Sequence, residues 1–534
     1  MRSVRLLDCT LRDGGYHNDW EFGQNEYLSI YQRLVAANVD VIEVGFIDDR
    51  RPYDINKTIF PDTKSIGMSY GAIKDKAPIS VGMIDYGTCS IDNLQDASES
   101  WVDGIRVIFK KKLMHEAMEY CRQVKAKGYK VFSQLVAVSD YKDEDFVEIA
   151  KLINDVKPYA VSMVDTYGLL YPEDVKRIFG ILDKTIDKDV SFGFHAHNNL
   201  QLGYANTIAF IEAGDDRDII ADATLFGMGK SAGNAPIELV ADYMNKHNGK
   251  DYAISQVLEA IEESVLDLYK KYSWGYKTFF YLAAKNEVHP NFVGYFQDKC
   301  NYSVSDIDEV LNKEIDEPSK LAFDKKKCDA IYDNFRATHY SDQNEYERLM
   351  STLSSRSILV IGPGKNIILQ KDKVDRFVKE NDPVCISVNY IPKDLDVDYV
   401  FITKPKRYAE MTVELLAHLA KGTKIIATSN VASKNEKFEY LFDREPLLER
   451  DQNIIDNSFL MLAKILERAG VKKVACAGMD GYSNHEDNYF DVKMEYQFVK
   501  KESQLLNNHI REVLEQSPIE FKFVTYSHYE EREN

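Results

Sequence analysis

KVFSQLV (130–136), DEDFVEIAKLINDV (143–156), AVSMVD (160–165), PEDVKRIFGILDK (172–184) and SFGFHAH (191–197) follow one another in the chain, and their alternation decides the fold. The first, third and fifth are short apolar runs, the pattern of buried strands. The two between them are amphipathic at helical spacing. Working outward, further strand candidates lie at 4–8, 39–46, 79–85, 104–109 and 219–224, with helix-like stretches at 26–37, 114–127 and 202–213. Strands alternating with helices imply parallel pairing with helices outside. Eight such units in residues 1–245 match the size of a closed (β/α)8 TIM barrel. An open doubly wound sheet is the alternative, and the regular spacing favours closure.

Residues 246–345 read as a helical annex, with helical spacing over 254–272 and aromatic clusters at 272–276 and 289–296. A polar segment, 338–356, separates a third region. There, strand candidates at 358–361, 384–388, 399–402, 424–427 and 473–477, with a helix at 457–469, predict a Rossmann-like α/β domain over 355–534.

The chain has 534 residues, enough for two or three cores, and its 44% hydrophobic and 29% charged content is that of a globular protein. The net charge of −19 argues against a general nucleic-acid or anionic-membrane binder, since phosphate affinity rests on clustered Lys and Arg. No apolar run approaches the roughly 18 residues that span a bilayer. The first residues enter a strand at once, without the pattern of a signal peptide. Seven scattered cysteines with no CxxC pair are expected to be reduced thiols of a cytoplasmic protein.

Barrel enzymes place their chemistry after the C-terminal ends of the strands. The first strand leads into Asp8-Cys9-Thr10-Leu11-Arg12-Asp13-Gly14-Gly15. The second carries Glu43, and the sixth ends in Asp165-Thr166-Tyr167-Gly168. The seventh contains His195-Ala196-His197-Asn198-Asn199, and Gly227–Asn234 follows the eighth. Residues i and i+2 of a strand share a face, so His195 and His197 can converge on one cation inside the barrel. With oxygens from Asp13 and Asn234 the shell is mixed N/O, which suits Mn²⁺ first, with Mg²⁺, Co²⁺ or Zn²⁺ as alternatives. Such an ion polarises the carbonyl of a 2-oxo acid, and Arg12 beside it suits an enolate or a carboxylate. Each piece has an ordinary reading too. HxH serves as a structural pair, Arg12-Asp13 as a surface ion pair and Asp165 as a helix cap. The conjunction of four signals on one rim carries the functional reading.

These motifs, in this order and spacing over about residues 1–300, resemble the HMGL-like superfamily of metal-dependent barrel lyases and synthases. It includes 4-hydroxy-2-oxovalerate aldolase, 3-hydroxy-3-methylglutaryl-CoA lyase and isopropylmalate synthase. The likeness is nearest to the 4-hydroxy-2-oxovalerate aldolases, through Gly229–Pro236 and the HNN sequence. It implies Asp13, His195 and His197 as metal ligands, with Asn234 matching a ligand of the lyase branch. It implies Arg12 as the enolate-stabilising residue and Glu43 and Asp165 as lining the site. The aldolases have a histidine base soon after the Arg-Asp-Gly turn; here His17 stands one residue further on, with Tyr16 as a rival. They also use an annex tyrosine, for which Tyr276 is the candidate. The acyl-CoA lyases have a cysteine in the loop after strand eight, which 227–234 lacks.

In the third region, Ile361-Gly362-Pro363-Gly364 is a strand running into a glycine turn of the kind that can hold a phosphate. A tight strand–helix turn explains it equally well. With Ser387-Val388-Asn389-Tyr390 and Asn457–Ala469 leading into Ala477–Tyr482, it resembles bacterial sialyltransferases and the related pterin pyrophosphokinase-like folds. That likeness implies a nucleotide at Gly362, Gly364 and Asn389, with His485 as a possible base.

The expected activity is cleavage or formation of a carbon–carbon bond between a 2-oxo acid such as pyruvate and an aldehyde. The rivals are a synthase condensing acyl-CoA with a 2-oxo acid, and a bifunctional enzyme of surface-polysaccharide assembly with a nucleotide-binding transferase domain. A non-catalytic barrel would have no need of Arg12, Asp13, His195 and His197 together. Barrels with annexes often form homo-oligomers, which is analogy alone.

Overall fold

The computed structural model describes residues 2–214, 216–299, 302–316, 319–340, 342–353, 356–433, 437–451, 453–484, 488–489 and 502–530. The chain divides into two compact units, Met1–Pro290 and Asn291–Asn534.

The first unit is the expected barrel. Its strands are β1 (Val4–Asp8), β2 (Val41–Ile47), β3 (Ile59–Phe60), β4 (Ile79–Asp85), β5 (Gly104–Phe109), β6 (Lys130–Val136), β7 (Ala160–Asp165), β8 (Ser191–Ala196) and β9 (Ile219–Ala223). All pairs are parallel, in the order β1-β9-β8-β7-β6-β5-β4-β2-β3. Leu7 opposite Val41 and Asp8 opposite Ile42 close β1 onto β2. Helix Asp143–Val156 shows why the outer layer forms. It buries Phe146, Ile149, Ala150, Ile153 and Val156, a single stripe at helical spacing, against the sheet. Helix Pro172–Thr185 does the same through Val175, Ile178, Phe179 and Leu182, with Pro172 opening its first turn.

Two features depart from eight simple units. After β4 the chain makes only the 3₁₀ turn Ile91–Asn93 before β5. And β2 bulges between Glu43 and Phe46, which sends its end out to pair with the two-residue β3. Gly45 at φ 148° permits this, because a Cβ there would stand 2.0 Å from the Thr58 carbonyl oxygen.

The barrel interior changes character along its axis. Leu7, Val41, Val81, Phe132, Ala160 and Ile220 form a buried apolar layer. Two residues on, the same faces present Glu43, Gln134, Ser162 and Asp222, all buried. Polar chemistry is thus confined to the C-terminal end.

The residues expected as one annex fall in both units. Helix Ile254–Ala260 runs through a π-turn into Leu266–Tyr272, and Thr278–Lys285 follows, all in the first unit. Val304–Lys313 and Lys325–His339 belong to the second. The polar stretch 338–356 carries helix Gln343–Leu353, whose Tyr346, Leu349 and Leu353 join the core of the second sheet. Among the described residues no helix is long and apolar enough to cross a membrane.

That sheet has seven parallel strands: β10 (Ile358–Ile361), β11 (Val384–Val388), β12 (Tyr399–Ile402), β13 (Lys424–Thr428), β14 (Tyr440–Phe442), β15 (Lys473–Ala477) and β16 (Glu520–Phe523). Their order is β14-β13-β12-β11-β10-β15-β16, so the winding reverses between β10 and β15. Alternate residues feed two cores, Val360, Ile386, Phe401 and Val474 on one face and Leu359, Cys385, Val400 and Ala475 on the other. Helices cover both, as in a doubly wound fold.

Candidate active site at the mouth of the barrel

After β1 the chain makes one helical turn, Thr10–Asp13, then a 3₁₀ turn, Gly14–His17. Asp8 holds the first turn by accepting from the Thr10 amide (2.9 Å) and hydroxyl (2.8 Å). Gly15 has no room for a side chain, since a Cβ would lie 2.0 Å from the Trp20 ring. Trp20 in turn donates from Nε1 to the Arg12 carbonyl at 2.8 Å, which fixes where the Arg12-Asp13 pair points.

Arg12 and Asp13 are both buried, which excludes the surface-pair reading. Arg12 Nε donates to Glu43 Oε2 at 2.8 Å and Nη1 donates to Asp13 Oδ1; neither pair uses Nη2. Asp13 Oδ2 accepts from Asn234 Nδ2 at 2.7 Å and from the Lys230 amide at 3.2 Å. It also lies 3.5 Å from His197 Nε2 and 3.8 Å from His195 Nε2. Burial works to raise the Asp13 carboxyl, but the Arg12 charge and His197 outweigh it and hold it well below the usual carboxylate range.

Both imidazoles are oriented from behind. His195 Nδ1 meets Asp222 Oδ2 at 3.1 Å, and His197 Nδ1 meets the Asp165 carbonyl at 3.0 Å. Each Nε2 is left buried without a hydrogen-bond partner, as are Asn234 Oδ1 and Glu43 Oε1. Burial lowers the proton affinity of His195, favouring the neutral form that ligates metals. The donor atoms of Asp13, His195 and His197 lie within 4.8 Å of one another. Donors about 2.1 Å from one ion stand about 3 Å apart, so this set closes on a cation with small adjustments. Orphaned nitrogens aimed at a carboxylate oxygen fit a divalent ion.

The charges support the same fit. Arg106 is fully buried, pairing through Nη1 with Glu43 (3.1 Å) and through Nη2 with Asp222, while Nη2 also donates to Gln134 Oε1 at 2.9 Å. Two guanidiniums, Arg12 and Arg106, face three carboxylates, Asp13, Glu43 and Asp222, which leaves one negative charge in a dry interior. Such a deficit calls for a cation. Sequence reading missed Arg106 and Asp222. The signal was present: each is a charge at an inward position of an otherwise apolar strand.

The other expected residues are placed as follows. His17 Nε2 meets the Gly229 carbonyl at 2.7 Å, and its ring packs on Trp274. Tyr276 is 55% exposed; Trp274, two residues earlier, is the annex residue that reaches the site. Asp165 takes the ordinary role, its carboxylate accepting from the Leu169 (2.9 Å) and Leu170 (3.2 Å) amides. The loop after β9 folds back so that Asn234 bridges to His197.

In the second unit, Asn389 and Gly364 line a crevice of about 400 Å³, together with Lys404, Asn457, Ser458 and Asp480. It lies where the strand order reverses, the place where open α/β sheets bind ligands. The expected phosphate cradle is not formed by the two glycines. The Gly362 and Gly364 amides donate to the Ala477 and Gly478 carbonyls, both at 2.8 Å. The Asn366 amide behind them donates to Asp480 Oδ2 at 2.8 Å, so a carboxylate already occupies the turn. Gly362 is required by close approach, a Cβ there falling 2.5 Å from the Gly478 oxygen. Asn389 sits at φ 54° and ties the strand ends together, with Nδ2 donating to Thr403 (3.0 Å) and Ser458 (2.7 Å) hydroxyls. His485 lies outside the described residues.

Fold and site thus define a barrel protein with a buried His-His-Asp cluster suited to a divalent cation. Residues 3–265 match the HMGL-like family model. The chain is 32% identical to 4-hydroxy-2-oxovalerate aldolase of Chloroflexus aggregans over 253 residues, 46% of this chain and 70% of the relative. It is 27% identical to oxaloacetate decarboxylase of Mycobacterium tuberculosis over 267 residues, 50% of this chain and 77% of the relative. Among solved structures, the N-terminal domain of a putative aldolase from Bacteroides vulgatus aligns at TM-score 0.48 and 25% identity, over 57% of this chain and 99% of that domain. The chain belongs to the HMGL-like family.

Proposed function

We propose that the barrel is a divalent-metal-dependent carbon–carbon lyase, an oxo-acid aldolase that joins or separates pyruvate, or another 2-oxo acid, and an aldehyde. The observation that supports this is the convergence of His195 Nε2, His197 Nε2 and Asp13 Oδ2 beside the Arg12 guanidinium. Those three, with Asn234 through Oδ1, would hold the ion, Mn²⁺ first among the candidates. When bound, the ion supplies Lewis acidity at the 2-oxo acid carbonyl.

Arg12 answers the charge that develops on that oxygen as a methyl proton leaves, through the Nη2 that its two ion pairs do not use. Glu43 and Asp13 hold the guanidinium in place. His17 faces a carbonyl through Nε2, so that nitrogen carries its hydrogen and Nδ1 is the basic one. Burial lowers its proton affinity, which keeps it neutral and able to take the methyl proton. In condensation the methyl carbon bonds to the aldehyde carbon and the aldehyde oxygen gains that proton; cleavage is the reverse. The relatives' names, aldolase and decarboxylase of 2-oxo acids, support the same donor.

The test is to incubate Mn²⁺-loaded protein with pyruvate in heavy water and follow the methyl protons by NMR. Exchange is expected; none would overturn the reading. Thiol release from acetyl-CoA during turnover would favour the synthase alternative. For the second unit we propose, as the alternative, a nucleotide-binding transferase domain of a bifunctional enzyme of surface-polysaccharide assembly; the crevice at the winding reversal supports ligand binding there and no more. Calorimetric titration of the full chain with CMP and UMP tests it, and absence of binding leaves that domain a scaffold.

A further inference from the structure

The mouth of the barrel carries two ammonium groups that the chemistry above does not use. Lys230 stands in the loop after β9, three residues before the Gly233-Asn234 pair, and its own amide binds Asp13. Its Nζ lies 5.2 Å from the centre of the Tyr16 ring, and among the described residues it makes no ion pair. Lys110 stands at the end of β5, exposed on the same rim, and likewise makes no ion pair among those residues.

Two other groups register both lysines. Asp85, at the end of β4, is raised by burial and pulled back by Lys110, Arg50 and Lys230. His289, packed on Tyr167, is pushed down to about 4 by burial and then by the charges of Lys230 and Lys110. Two cations therefore border one space above the metal-binding cluster, Lys230 half-buried and Lys110 exposed. Arg50 on this rim is already paired with Asp48. Asp13 is already engaged by Arg12 and Asn234, and Asp85 forms no ion pair with either lysine.

Unpaired cations in a partly dry site raise the local concentration of anions and reward a ligand that pairs with them. On the reading above, the reacting end of the 2-oxo acid is already placed at Arg12 and the metal cluster. A second anionic point therefore belongs to the other substrate. Building on the lyase reading, we propose that the aldehyde carries an anionic group, a phosphate or a carboxylate, at its far end, and that Lys230 and Lys110 receive it.

The experiment uses the Mn²⁺-loaded full chain with pyruvate and paired aldehydes. Glycolaldehyde phosphate and glyceraldehyde 3-phosphate supply a phosphate, succinic semialdehyde a carboxylate, and acetaldehyde and glyceraldehyde no charge. Wild type is expected to favour an anionic aldehyde at least tenfold in kcat/KM, and the favoured arm identifies the anion. Lys230→Gln should lower that preference at least tenfold through KM, and Lys230→Gln/Lys110→Gln should bring it near one. Methyl exchange of pyruvate in wild type, with no aldehyde present, separates the two levels. Absence of exchange sinks the lyase reading itself. Exchange without any preference for an anionic aldehyde, or with none of these turned over, overturns the inference alone. So does a Lys230→Gln effect confined to the pyruvate KM, which would assign the lysine to the donor.

Discussion

Asp222 Oδ2 stands 3.1 Å from His195 Nδ1 and also pairs with Arg106, so one carboxylate links the buried guanidinium to the imidazole. It fixes the tautomer of His195 and turns Nε2 toward Asp13. Asp222→Asn keeps the shape and removes the charge. Partners of this kind typically govern metal affinity by about 10–100-fold. The expected outcome is Mn²⁺ binding weakened by that range in isothermal titration, with activity partly restored at high Mn²⁺. Unchanged affinity would separate Asp222 from the ligand set.

Arg106→Met tests the charge balance beneath the site. The variant leaves Glu43 and Asp222 facing each other in a dry interior without their shared cation. Breaking a buried pair on one side typically costs about 3–5 kcal/mol. A drop of that order in the urea unfolding free energy of the barrel is expected. A loss below about 1 kcal/mol would show that water or protonation relieves the carboxylates.

How much of this was legible depended on element length and on which residues drew notice. Strands of four or more buried residues, such as 79–85 and 473–477, show in the apolar pattern to within a residue or two. Ile59–Phe60 and Tyr440–Phe442 are too short to show, and Glu520–Phe523 is an edge strand with exposed and half-buried residues. The turn Ile91–Asn93, standing where a helix is expected, has no apolar period to betray it. In the site, the convergence of Asp13, His195 and His197 was legible because motif and strand period agree. Arg106 and Asp222 obey the same period, but a charge inside a strand carries no motif. The resemblance points to an annex tyrosine without fixing its register, and it is Trp274, two residues before the exposed Tyr276, that packs on His17.

Gly229→Ala probes the loop after β9. A Cβ there would stand 2.5 Å from Asn234 Nδ2 and 2.6 Å from Asp13 Oδ2. The backbone is not strained, so the effect is a collision with two members of the cluster. Metal content after purification should fall at least tenfold while the circular dichroism spectrum and melting midpoint stay close to wild type. Full metal occupancy would mean that the loop moves aside freely.

Asp8 gives a pH dependence whose sign can be fixed in advance. Burial, the dominant cause, pushes its carboxyl up to about 7, against hydrogen bonds from Thr10 that favour the charged form. A carboxyl raised in the folded state adds stability that is fully present below the unfolded value near 4 and is lost as pH rises through about 7. At pH 8 the fold therefore carries a buried carboxylate at its own expense. Asp8→Asn removes that burden, so its stability relative to wild type should rise by a few kcal/mol between pH 5 and pH 8. Urea unfolding of both proteins across that interval measures the difference directly. A difference that stays flat with pH would mean that the two Thr10 hydrogen bonds, and not burial, set the ionisation of Asp8.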